Sequence, residues 1–178
     1  MASFQLLKNT TSDTKLRWLQ FRILHYIITT NRSVSKFIIG QDSNCSFCGA
    51  HSETIKHLFW QCRLVQHFWN DLSSSINKKC SHAHNFKFNE KLVLFGKCDM
   101  IRTDNTCDLI ILLAKSFIYR CKVQGRCLNN RCFIREIYSR YNLEKYLERN
   151  GTEFILKNGD PIKTCSKALC ELYQSISV

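Results

Sequence analysis

The sequence has a single proline, Pro161, and only six glycines in 178 residues, too few for the repeated tight turns of sandwiches and barrels. Long helices are what remains. The longest apolar run, Leu109 to Ala114, falls far short of the ~20 residues that cross a bilayer, so no membrane partner is expected. The start, Met1-Ala2-Ser3-Phe4-Gln5, lacks the charged opening and apolar stretch of a secretory signal. A reducing, intracellular setting follows as the expectation, nucleus or cytoplasm. Glycine-rich phosphate loops and nucleophile elbows are missing as well. Acidic residues are few, and the pair Asp104 and Asp108 reads as charge at a helix N-terminus rather than as an acid/base or two-metal site. No catalysis by the chain itself is expected.

What the chain does have is positive charge and cysteine. Lys and Arg number 26 against 14 Asp and Glu, a formal net charge of +12, whose self-repulsion a polyanion would neutralise. Nucleic acid, RNA or DNA, is the default partner. Hydrophobic residues make up 44% and aromatic residues 12%, enough for a packed core. The cysteines number 11, which is odd, so they cannot all pair internally; Cys107, Cys121 and Cys132 fall inside helical patterns as small hydrophobes.

Four residues carry a sharper signal: Cys45-x2-Cys48-x8-His57-x4-Cys62. A Cys-x2-Cys turn places two thiolates on one side of an ion, and His57 with Cys62 can close a tetrahedron from the other side. Three thiolates and one imidazole leave no open position, so a structural zinc ion is the expected cofactor. The surrounding loop, Asp42 to His51, is polar and small, and metal binding is expected to supply its folding free energy. His51 and His67 are weaker competitors. Cys80, His82 and His84 form a second polar cluster without a partner pair and read as a solvated loop.

The expected fold is mainly α, a small helical domain around an embedded CCHC knuckle with at most one short strand or hairpin. Thr11-Ser12-Asp13 predicts a cap for a first helix reaching about Thr30, with Leu16, Leu19, Ile23 and Ile27 inward and Trp18 and Phe21 read as core. A short helix from Asn31 to Ile38 is closed by Gly40. Val65, Phe68 or Trp69, Leu72 and Ile76 place the last ligand near the start of another helix. Leu92-Val93-Leu94-Phe95-Gly96 is read as a strand or an extended segment.

Asp104 and Thr106 are candidate caps for a helix to about Gln124, with Ile110, Leu113, Phe117 and Cys121 inward and Gly125 as its stop. A last strong helix, from about Asn130 to Arg149, buries Ile134, Ile137 and Tyr141. The division is 11–77 for the first helix and knuckle, 78–103 for a connector, 104–150 for a basic helical segment on the same core, and 151–178 for a weakly patterned tail.

Lys115, Tyr119, Lys122 and Arg126 recur at i, i+4, i+7 and i+11, a basic stripe with one aromatic, and Arg131 and Arg135 continue the positive density on the next helix. Lys15 and Arg22 stand two turns apart on the first helix. These eight residues are the candidate nucleic-acid contacts.

The run Lys15-Leu16-Arg17-Trp18-Leu19-Gln20-Phe21-Arg22-Ile23-Leu24-His25, then Thr30-Asn31, the knuckle with Glu53-Thr54 and His57-Leu58-Phe59-Trp60, and Phe68-Trp69 together resemble the zinc-binding carboxy-terminal region of LINE-type non-LTR retrotransposon reverse transcriptases. Leu94-Phe95-Gly96 and Leu112-Leu113-Ala114-Lys115 with Phe117-Ile118-Tyr119 continue the likeness. The resemblance implies a module that follows a polymerase domain and helps to hold template RNA and target DNA. Its transferable positions are Cys45, Cys48, His57 and Cys62. The Tyr-x-Asp-Asp motif of the polymerase is not in the sequence, so the resemblance implies a fragment of a truncated element.

Overall fold

A computed structural model describes residues 11, 13–77, 87–96 and 105–149. Helix α1, Thr14–Leu24, starts where Asp13 accepts hydrogen bonds from the amides of Lys15 and Leu16, at 2.9 and 3.3 Å. It buries Leu16, Leu19, Gln20 and Ile23, the stripe that a period of 3.6 requires. The helix ends six residues before the Thr30 expected from sequence. Tyr26 takes φ 58°, its amide bonds to Ile23 O, and Ile27 N bonds to Arg22 O, which together make the Schellman stop usually built on glycine. Trp18 is 58% exposed and stacks on Phe21 at 5.1 Å, so the core assignment of Trp18 is corrected.

Helix α2 is a single turn, Asn31–Val34, fixed by a capping box in which Thr30 and Ser33 bond reciprocally. Ser35 to Gly40 continues as turns rather than as helix to Ile38. Helix α3, Arg63–Asn77, buries Val65, Phe68, Trp69, Leu72, Ser73 and Ile76. Where a strand or extended segment was expected, the chain forms helix α4, Glu90–Phe95. The Asn89 side chain accepts from Leu92 N at 2.8 Å and Glu90 complements the first turn, while Gly96 at φ 79° ends it. Among the described residues the only β pairing is an isolated antiparallel bridge, Asn44 with Ser52.

Helix α5, Asn105–Val123, is the central element. Leu109 through Lys115 are all buried, so water reaches little of this stretch of the helix. Helix α6, Asn130–Arg149, buries Phe133 and Ile137, while Ile134 is only half-buried and Tyr141 packs at the margin. Helix α1 packs on α4 and α5, and α3 packs on α6.

Buried residues from Leu16 to Ile137 join in one cluster. Its middle is a triangle of Phe68, Phe117 and Phe133, with ring centroids 5.3 to 5.9 Å apart, contributed by α3, α5 and α6. Offset and edge-on rings at such distances add about 0.5–1.5 kcal/mol per pair beyond the area they bury. Arg140 of α6 reaches back to Asp13 at 2.9 Å, fastening the end of the core to the cap of α1.

Asp104, the segments 78–86 and 97–104, the cluster Cys80, His82 and His84, the side chain of Thr106 and the tail from Asn150 lie outside the described residues. Among the described residues no helix is long and apolar enough to cross a membrane.

Candidate metal centre

The loop after α2 folds back on itself before any ligand is placed. Glu53 N bonds to Ser43 O and Cys45 N to His51 O, each at 2.8 Å. Between those bonds Cys45, Ser46, Phe47 and Cys48 make a tight turn, and Gly49, at φ 68°, reverses the chain with its amide on Cys45 O at 2.9 Å. The Phe47 amide points at the Cys45 sulfur, 3.4 Å away. This turn supplies the first pair of sulfurs.

The second pair depends on a local departure from the α-helix. In an α-helix, residues five apart differ in direction by about 140°, which would send His57 and Cys62 to different sides. His57–Gln61 instead forms a π-helical turn, closed by Cys62 N bonding to His57 O at 3.0 Å. The wider turn returns Cys62 beneath His57. Thr54 anchors its start, accepting from His57 N at 2.9 Å, and the Trp69 indole donates to Phe59 O at 2.9 Å. Cys62 then serves as the first flank of α3, with Gln66 N on its carbonyl at 2.8 Å.

The donor atoms of Cys45, Cys48, His57 and Cys62 all lie within 4.8 Å of one another. Zinc at about 2.3 Å from sulfur and about 2.0 Å from imidazole nitrogen sets tetrahedral edges of roughly 3.8 Å between sulfurs and roughly 3.5 Å from sulfur to nitrogen. Cys45 Sγ is 3.9 Å from Cys62 Sγ, and Cys48 Sγ is 3.4 Å from His57 Nε2. The residues present fit the ion in donor type, number and spacing. The His51 ring lies tilted beside that of His57 at 5.6 Å without joining the group, and His67 turns outward to Asp71.

Burial and hydrogen bonding favour ligand-ready forms at two of the four positions. The thiol–thiol hydrogen bond holds Cys62 down to about 7, aided by the Val65 and Leu64 amides at the start of α3 against burial. The same bond, with burial, pushes the Cys45 thiol up. Burial and the neighbouring His51 push His57 down, keeping its imidazole neutral. All the described cysteines are free thiols.

Behind the ligands lies a polar hub that sequence reasoning missed. Glu53 has no exposed surface, and its carboxylate accepts from Asn31 N at 2.9 Å and from Ser46 N at 2.8 Å. Lys122 of α5 pairs with it at 3.1 Å. Burial raises this carboxyl, but the two amides, Ser46 and Lys122 together bring it below its ordinary value. Asn31 also donates to Asn44 O at 2.7 Å and to Ser46 Oγ at 3.1 Å. The available signal was an acid beside the knuckle in a chain short of acids.

The basic stripe does not form as a surface. Lys115 is 1% exposed and bonds to Gln20, whose amide donates to Leu94 O at 2.9 Å. Lys122 is committed to Glu53 and Asn31, and Arg22 lies over the half-buried Tyr119 ring at 5.9 Å. Lys115 and Lys122 are therefore corrected from phosphate contacts to internal ones, because the middle of α5 is enclosed on every side and Lys122 turns inward to Glu53. Lys15, Arg126, Arg131 and Arg135 are exposed.

Comparison with curated proteins and with solved structures gives no match. One family model does match: residues 3–69, the stretch that holds all four ligands, α1 and the π-helical turn, match the family described as zinc-binding in reverse transcriptase.

Proposed function

We propose that the chain is a zinc-organised nucleic-acid-binding module of the LINE-type reverse-transcriptase kind, non-catalytic by itself, whose ion is structural. The convergence of three sulfurs and one imidazole within the matched segment carries this reading. Bound there, zinc would lock the loop and the π-helical turn into a rigid corner, and no ligand position is left over for a reacting molecule. The charge of +12 supplies the attraction to phosphate. Arg126, Arg131 and Arg135 remain as exposed cations around the start of α6, with the half-exposed Tyr138 one turn beyond.

The test is a titration of the purified, metal-loaded chain with single-stranded RNA, single-stranded DNA and duplex at two salt concentrations. Binding that weakens with salt, and weakens further on charge reversal of Arg126 and Arg131, is expected. Affinity unchanged by those reversals sinks the reading.

A second reading, a zinc-stabilised module that docks on a polymerase domain, draws on a different observation. Phe37, Ile38 and Ile39 stand 86%, 55% and 102% exposed after α2. Loss of co-purification with that domain on polar replacement of these three residues, with nucleic-acid affinity intact, would favour it.

A further inference from the structure

A cavity of about 310 Å³ opens between the knuckle, α3 and the turn that joins α5 to α6. Its apolar lining is Phe47, from between the first two ligands, Leu64 and Phe68 of α3, and Leu128 of the turn, with His67 and Asp71 of α3 among its polar residues. Arg126, an exposed cation, is among its lining residues, as is Asn130 at the start of α6, and Arg131 and Arg135 are exposed one turn apart on the same helix. The size is that of a small-molecule pocket and not of a duplex.

Resting on the nucleic-acid reading above, we infer that this cavity receives one unstacked base of a single strand. The ring of Phe47 stacks the base, and the strand's phosphates run along Arg126, Arg131 and Arg135. Aromatic and apolar walls accept any base through its flat face, whereas a cation row outside the cavity holds the backbone that carries it. The shape gives no reason to prefer ribose to deoxyribose. Because Phe47 lies two residues from Cys45 and one from Cys48, the ion that orders the ligands also orders this wall.

The experiment uses the full, metal-loaded chain with short RNA and DNA single strands, the same strands made abasic at successive positions, and a duplex. The expected result is binding of intact strands about tenfold tighter than of abasic ones, the scale of one lost base–aromatic stack. F47A is expected to erase that difference and leave the salt dependence unchanged, and F47W to restore it. L128W, which fills the cavity with Phe47 intact, is expected to erase it too, so a failure of F47A to hold metal does not decide the matter. A strand bearing 4-thiouridine is expected to crosslink to the peptides of Phe47 or Leu128. Equal binding of intact and abasic strands, equal binding of duplex, or an undiminished preference in L128W overturns the base pocket while the phosphate grip stands. Wild-type protein that binds no strand at low salt overturns both.

Discussion

Lys122 Nζ lies 3.1 Å from Glu53 Oε1, joining the central helix to the loop that carries Cys45 and Cys48. Glu53 has no exposed surface and the Lys122 side chain is 10% exposed, so each charge depends on the other. Removing one partner of such a pair leaves a buried charge alone, at about 3–5 kcal/mol. K122M and E53Q are each expected to lose stability on that scale in urea unfolding, and the double variant to recover part of it. The carboxyl is held below its unfolded value of 4.5. Its contribution is therefore present above that pH and is lost as pH falls through the lower folded value. A double variant no more stable than the worse single one would contradict this pairing.

Lys115 gives the same pH sign in a higher window. Burial pushes it from 10.5 down to about 7, with Asp108 opposing. Folding therefore favours the neutral amine: stability is highest above 10.5, declines as pH falls toward 7, and the whole effect is about 5 kcal/mol. K115M is expected to flatten the stability profile over this window. At neutral pH it gains roughly 1–3 kcal/mol, since the freed Gln20 oxygen offsets part of the benefit. Unchanged slopes in wild type and variant would exclude a buried, titrating lysine.

Metal removal tests the knuckle directly. The apparent binding free energy of comparable sites is ~10–16 kcal/mol, more than the stability of most domains of this size. Chelation, or C62S, is expected to abolish cooperative unfolding of the 42–62 region while much of the helical circular dichroism persists. C132S, at an exposed cysteine outside the group, is expected to keep full metal content. Elemental analysis of the three proteins decides the point.

Tyr26 and Gly125 end α1 and α5 through the same pair of hydrogen bonds at φ 58° and 62°. A side chain in that conformation costs roughly 1 kcal/mol relative to glycine. Y26G is expected to raise the melting temperature by a few degrees and G125A to lower it by a similar amount. Tyr26 is 74% exposed, so little packing is forfeited. A fall in melting temperature for Y26G would show that its ring contributes packing in solution.

The four ligands were legible because sulfur and imidazole spacing is a local property of the chain. Their convergence was only partly so: periodic templates assume 3.6 residues per turn, and nothing in His57-Leu58-Phe59-Trp60-Gln61 announces a wider one. Helix α5 was found with its stop and inward face, yet Lys115 was assigned to solvent on the premise of a one-sided helix. The unbroken run Leu109 to Ala114 was the warning, since a helix apolar all round is buried all round. The length of Leu92 to Phe95 suits a strand as well as a helix, and only the Asn89 cap and Glu90 distinguish them. Trp18 was placed inward by hydrophobicity alone, but its angular position on α1 lies outside the stripe of Leu16, Leu19 and Ile23.

The π-helical turn makes this stretch tolerant of changed spelling and of a lost residue, and intolerant of a gained one. Gln61 faces water and Trp60 is half-covered, so their identities can drift without disturbing the ion's cage. Deleting either one would let the segment return to the ordinary pitch, where residues four apart differ by only about 40° and Cys62 stays on the His57 side, whereas adding one would leave residues six apart, about 240° round, and carry Cys62 away from its three companions. Copying errors that change one letter there are survivable, and so is the loss of one residue; the gain of one is not.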